Sequence, residues 1–308
     1  MRGWSLLILV AACKPDLGEP ASLVDAPRFL AISSEPAEVV PGATVTLHAV
    51  VARPEGQVAD DAPASWAICT TPKAVSVNNV VSDDCVFESQ VGLPDHTLTV
   101  QATIPMDACS LFGPDPPQSL PGQPPLRPID PDATGGYYQP VRALLEDEPA
   151  HYIAAFGLPR ITCNLPDAPS DIAIAFRERY HANTNPTIAR VLVSIDGATS
   201  IDLPADVPAG REVTFVVVWP AAAAETYPVF DRVSRTLVDH REALRVSWFA
   251  TAGEFAHDHT GAAEDDTSTE TQNLWTAPAS PGLVHGWVVL RDSRGGSDVR
   301  AFDVNVTP

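Results

Sequence analysis

Proline stands at one position in ten of this chain, 31 of 308 residues, about twice the usual frequency. A proline inside a helix removes a hydrogen bond and clashes with the preceding turn. Prolines spread over this length therefore exclude a mainly helical protein. An apolar content of 45% is nevertheless enough to build real cores and argues against wholesale disorder. The length suits about two domains. With 39 acidic against 19 basic side chains the formal charge is −20. Nucleic-acid binding needs clustered Lys and Arg, so this balance excludes a nucleic-acid partner.

Between the prolines the chain reads as short strands. Phe29 to Ile32 is apolar, and Ala43 to Val51 alternates as a half-buried strand should. Ala64 to Cys69, Thr97 to Ile104, Tyr137 to Leu145 and His151 to Phe156 follow. The second half repeats the grammar with Ile188 to Ile195, Glu212 to Trp219, Leu244 to Phe249, Gln272 to Thr276, Gly286 to Leu290 and Val299 to Val306. Gly42, Val45, Thr46 and Leu47 align with Gly210, Val213, Thr214 and Phe215 at one offset. Ser65-Trp66 aligns with Ser247-Trp248 at a slightly larger one, and Ala102 to Pro105 matches Trp275 to Pro278. Trp66 and Trp248 are the expected core anchors, because sheets about 10 Å apart need a large apolar plug. The fold class expected is all-β, two Ig-like β-sandwiches in tandem.

The N-terminus reads as an export signal. Arg2 precedes the apolar run Leu6 to Val10, which is too short to span a bilayer and suits a secretory signal ending in small residues. Val10-Ala11-Ala12-Cys13 resembles the lipobox of bacterial lipoproteins. That resemblance implies cleavage after residue 12, a diacylglyceryl group on the thiol of Cys13 and acylation of the new amino terminus, palmitate included. Residues 13–24 are then a flexible tether. Lys14 is not the aspartate that resembles an inner-membrane retention signal, so the outer membrane is the favoured address.

Gly253, Trp275-Thr276-Ala277-Pro278, Leu290 to Gly296 and the Pro-Gly turn before Val45 resemble bacterial Ig-like modules of the PKD type. The whole chain resembles the myxobacterial class of predicted Ig-like surface lipoproteins. The motifs mark fold rather than chemistry, and the glycines of Arg291 to Gly296 suit a hairpin turn.

The expected domains are residues 25–163 and 186–308. A proline-rich insert at 106–136 interrupts the first, and a connection at 164–185 joins them. In the connection Ser170 can cap a short helix with Ile172, Phe176 and Tyr180 on one face, although the same letters also alternate as a strand. Setting Cys13 aside leaves Cys69, Cys85, Cys109 and Cys163, an even number in an exported chain, which favours disulfides. Three pairings exist. Cys69–Cys85 closing a local loop, with Cys109–Cys163 tying the insert to the domain's end, is favoured. Zinc would want paired C-x-x-C spacing or nearby histidines, and neither occurs.

Candidate chemistry is sparse. His257-Asp258-His259 with Glu264-Asp265-Asp266 could ligate a metal but also reads as a solvated loop. Asp130, Asp132 and Gly135 could offer oxygens to calcium but lack the spacing of an EF-hand. The run Glu146-Asp147-Glu148 does not show two carboxyls facing across a cleft. Tyr137-Tyr138 could stack on a sugar or belong to the core. No nucleophile elbow, H-E-x-x-H helix or phosphate loop occurs. No cofactor, catalytic residue or metal site is expected. The function expected is a non-enzymatic, membrane-anchored envelope lipoprotein with a structural, adhesive or partner-binding role. The partner would be an envelope protein or polysaccharide. The alternative is a carbohydrate- or calcium-binding module of an envelope assembly.

Overall fold

A computed structural model describes residues 20–72, 81–88, 90–94, 96–114, 132–148 and 151–308. Cys13, the expected export signal, Asp130 and most of the proline-rich insert lie outside the described residues.

The chain folds as two β-sandwiches. In the first, one sheet pairs Arg28–Glu35, Thr44–Arg53 and Gly56–Gln57, with Thr99–Thr103 also paired to Thr44–Arg53. The facing sheet runs His151–Gly157, Val141–Glu148, Ala64–Cys69, Gln90–Gly92. In the second sandwich, one sheet runs Ile201–Asp202, Arg190–Ile195, Glu212–Val218, Glu270–Thr276, Glu254–Phe255. The other runs Ala205–Pro208, Ser297–Thr307, Gly282–Asp292, Leu244–Ala250, His259–Ala262. Each half has a short strand paired in parallel with its last strand, in the first half within a separate three-stranded sheet with Gly136–Tyr138 and in the second within a main sheet. The pairs are Glu38–Val39 with Arg160–Thr162, and Ala205–Pro208 with Ser297–Thr307.

The repeat seen in the sequence extends to register. Val45 lies opposite Ala102 and Thr44 opposite Thr103. Val213 lies opposite Trp275 and Glu212 opposite Thr276. Both turns before these strands place a glycine at positive φ, Gly42 at 85° and Gly210 at 69°. Trp66 and Trp248 are both buried. Their indole N–H groups donate to the Thr97 carbonyl at 2.7 Å and to Thr260 Oγ1 at 2.9 Å. Each plug therefore buries its ring and satisfies its one polar atom, as a buried tryptophan must.

Three features differ from the expectation. The candidate strand Tyr137 to Leu145 is two strands, Gly136–Tyr138 and Val141–Glu148, broken at Gln139-Pro140 because proline cannot continue the ladder. The strand Thr44–Arg53 is not half-buried along its length. Val45, Leu47, Ala49 and Val51 face the first core, and Val50 and Ala52 are buried on the opposite side. A bulge in Arg28–Glu35 lets the neighbouring Leu30 and Ala31 join that second side. There they meet Trp287 and Val289 of the second sandwich. The two sandwiches thus pack sheet against sheet rather than as beads on a string. Each Val or Leu side chain so buried contributes on the order of 1.5–3 kcal/mol. The third difference is the end of the presumed tether. Ser22 and Val24 are buried, and the chain there hydrogen-bonds Ala250 on both sides: Val24 N–H to the Ala250 carbonyl and Ala250 N–H to the Ser22 carbonyl, each 2.9 Å.

The connection forms the helix Ser170–Arg179. Ser170 is its first residue rather than its cap; Pro169 precedes it and makes no side-chain cap bond. Ile172, Phe176 and Tyr180 do share a face. They pack with Leu165, Phe230 and Leu237, and the Phe176 and Tyr180 rings stack at 4.7 Å. Phe230 and Leu237 come from a hairpin, Thr226–Asp231 with Thr236–Arg241, which lies outside the strands expected from the sequence.

Candidate functional site

The connection and both sandwiches converge on a buried polar joint. Glu38, on the short strand Glu38–Val39 of the first sandwich, is 3% exposed. Its carboxylate accepts from Thr162 Oγ1 at 2.8 Å, Tyr180 Oη at 2.6 Å and the Asn183 backbone N–H at 2.9 Å. Arg160 lies 3.3 Å from the same carboxylate. It donates to Thr134 Oγ1 at 2.7 Å and Tyr138 Oη at 3.3 Å. Gly136 is required here, because a β-carbon would occupy the Arg160 guanidinium's place.

The segment Leu290 to Gly296 is more than the hairpin turn expected. Asp292 accepts from Asn183 Nδ2 at 3.3 and 3.1 Å, the Arg294 N–H at 2.9 Å and the Gly296 N–H at 2.8 Å. Gly296 is needed because a β-carbon would strike the Asp292 carboxylate. Arg294, 2% exposed, donates to Glu242 and Glu225 at 2.6 Å each and to the His181 carbonyl at 3.1 Å. Its guanidinium sits 4.6 Å from the centre of the Tyr227 ring. Neither arginine was singled out from the sequence. Their partners lie far off along the chain, and the only local signal was the RDSRGG motif itself.

Burial sets the titration of these groups. It pushes Glu242 up to about 7, reinforced by Asp292 and opposed by Arg294. Burial raises Asp292 as well, and raises Tyr180 to about 12. For Arg160 burial works toward a lower value, but Tyr180, Tyr138 and Glu38 outweigh it, and the guanidinium stays charged. A buried charge is tolerated only when paired and hydrogen-bonded, and here the partners come from both sandwiches and the connection. The arrangement fixes the relative orientation of the two halves. It does not present a nucleophile beside a base.

The cysteines sit at the first sandwich. Cys69 is bonded to Cys85 and Cys109 to Cys163, with Cα atoms 5.2 and 5.8 Å apart, within the usual disulfide range. The second bond ties the short helix Ala108–Phe112 of the insert to the segment just after Arg160–Thr162. Beside it lies a depression of about 430 Å³ whose titratable lining groups are Arg177 and Tyr180.

The other candidates do not come together. His259 contacts Ser247 Oγ at 3.1 Å and His257 donates its backbone N–H to Asn273. Glu264 pairs instead with His240 at 3.2 Å, and Asp266 accepts from Ser268. Asp132 accepts from the Thr134 N–H at 2.6 Å, closing a local turn. Among the described residues no three His, Cys, Asp or Glu side chains group as metal ligands. Tyr137 is buried in the first core and Tyr138 faces Arg160, so the pair is no sugar platform.

No family model matches the chain, and no curated protein matches it. Similar solved structures include the D00-D0 domain of intimin, at 9% identity over 92% of this chain and 99% of that one, TM-score 0.23. The Yersinia pseudotuberculosis adhesin InvE is 9% identical over 91% of this chain and 59% of that one, TM-score 0.23. The C-terminal domain of the Streptococcus pyogenes antigen I/II-family protein AspA is 11% identical over 92% and 100%, TM-score 0.24. Likenesses at this level carry no argument, and the fold stands on the sheets described above.

Proposed function

We propose that this chain is a non-enzymatic envelope lipoprotein, anchored through Cys13, whose two sandwiches act as one rigid structural or partner-binding module. The observation that carries the module reading is the double burial of the strand Thr44–Arg53, one face in its own core and the other against Trp287 and Val289. The charged joint supports the same reading, because its hydrogen bonds lock the connection between the halves. A catalytic reading would need a base and nucleophile converging on a cleft, and the titratable groups of the joint are instead spent on one another.

The anchor rests on the resemblance of Val10 to Cys13 to a lipobox. Labelling with palmitate tests it. Wild-type protein should take up label and Cys13→Ala should not; equal labelling of the two removes the anchor. Crosslinking on whole cells tests the partner-binding role. It should recover a reproducible set of envelope proteins or polysaccharide, and recovery of none leaves a passive spacer.

A further inference from the structure

The outer face of the sheet that meets the first sandwich carries an arrangement unlike the rest of the surface. Along Leu244–Ala250 and Gly282–Asp292, Arg245 lies directly opposite Arg291. Their Cα atoms are thus about 4.5–5.5 Å apart. Like charges in this position are destabilising, and this pair has no carboxylate within ion-pair distance among the described residues. Three exposed arginines elsewhere do find one: Arg190 pairs with Asp202 at 2.7 Å, Arg211 with Asp196 and Arg179 with Asp239 at 2.5 Å. In a chain with twenty more acidic than basic side chains, an unneutralised arginine pair is a feature that needs a cause.

The surroundings hold one arginine in place and leave the other open. Arg291 donates to the Leu30 carbonyl of the first sandwich at 2.8 Å and to Ser247 Oγ at 3.3 Å, which fixes its guanidinium at the seam. His259 reaches the same Ser247 Oγ at 3.1 Å. On the other side of Arg245 its strand neighbour is Gly261, so no side chain crowds that flank. Arg245 is exposed, and all five of its N–H donors are available. The electrostatics agree. Burial lowers Arg291 and Arg245 lowers it further. Burial and then Arg245 lower His259, with Arg291 adding to the effect and Asp258 opposing it.

We propose that Arg245, Arg291 and His259, the last two positioned by the buried Ser247 hydroxyl, form a binding site for a phosphate- or sulfate-type oxyanion at the seam between the sandwiches. The open guanidinium fork of Arg245, beside the N–H donors that Arg291 does not spend on Leu30 and Ser247, matches the oxygens of a tetrahedral anion with charge-assisted hydrogen bonds. The bound anion neutralises the repulsion between the arginines. Since Arg291 also holds the first sandwich, the ligand braces the contact between the halves. The site is independent of the anchor at Cys13.

The test follows the His259 ring resonances by NMR while the full chain is titrated with sodium phosphate, sodium sulfate and, as control, sodium chloride. Phosphate and sulfate should give saturable shifts and chloride none. Arg245→Gln alters an exposed side chain and should keep the fold. It should weaken binding by about tenfold or more, the effect of one lost charged hydrogen-bond partner. Non-saturable shifts, or equal saturation in wild type and Arg245→Gln, overturn the site. A sugar phosphate and a sugar sulfate form a second arm. Tighter binding of these esters than of the inorganic ions assigns the anionic group to a larger molecule; equal or weaker binding assigns the free ion.

Discussion

Arg294 donates from Nε to Glu242 Oε1 at 2.6 Å, and neither side chain is more than 2% exposed. The pair ties the last hairpin of the second sandwich to the strand region that precedes Leu244–Ala250. Above about pH 7, where Glu242 is ionised, removing Arg294 leaves an uncompensated buried charge, at a cost of about 3–5 kcal/mol. Arg294→Ala should destabilise the chain by that amount in urea denaturation. Arg294→Lys should recover only part of it, because an ammonium cannot fork between Glu242 and Glu225.

The same pair predicts a dependence on pH. Glu242 titrates near 7 in the folded chain, chiefly through burial, against an ordinary value of 4.5. The folded chain therefore holds this proton when the unfolded chain has released it. The group's contribution to stability is full below pH 4.5 and is lost as pH rises to about 7. Asp292, also raised by burial, acts with the same sign. Urea midpoints should fall between about pH 5 and about pH 7 in wild type, and Glu242→Gln should flatten that slope. An unchanged slope in the variant would assign the dependence elsewhere.

Trp287 is the largest side chain between the sandwiches. Its indole N–H donates to Gln57 Oε1 at 3.3 Å, and its ring is 1% exposed. Truncation to alanine should cost about 3–5 kcal/mol. It should also uncouple the halves, so that calorimetry resolves two transitions where wild type gives one. A single transition at a lower temperature would show that the polar joint alone keeps the sandwiches cooperative.

The two disulfides should differ in weight. Chain-entropy arguments assign about 4 kcal/mol to Cys109–Cys163, whose residues are 54 apart, and about 3 kcal/mol to Cys69–Cys85, 16 apart. Paired Cys→Ser variants, denatured separately, check the order. The reverse order would show that the insert is held mainly by packing.

What could be read from the sequence was short-range. Gly42 and Gly210 announce turns, and Trp66 and Trp248 mark the plugs. The offset between the halves marked a repeat, and the structure extends it to equivalent pairings at Val45 and Val213. The joint was not readable in this way. Glu38 and Asn183 are 145 residues apart, Leu30 and Arg291 261, and polar letters at such distances carry no periodic signal. The sheet-on-sheet contact did leave a trace in Ala49-Val50-Val51-Ala52 and Trp287-Val288-Val289-Leu290. These are unbroken apolar runs where a strand with one wet face would alternate. The hairpin of Thr226–Asp231 was hidden by Pro228, which reads as a break but is tolerated in a two-stranded ribbon with open edges.

The docking of residues 22–24 beside Ala250 also decides how the module carries load. A pull arriving along the chain from its N-terminal side does not reach the first sandwich first. It falls on two backbone hydrogen bonds to the second sandwich, with Val24 wedged beneath them. The half that is later in sequence takes the strain earlier, and the first sandwich is shielded until that clasp gives way.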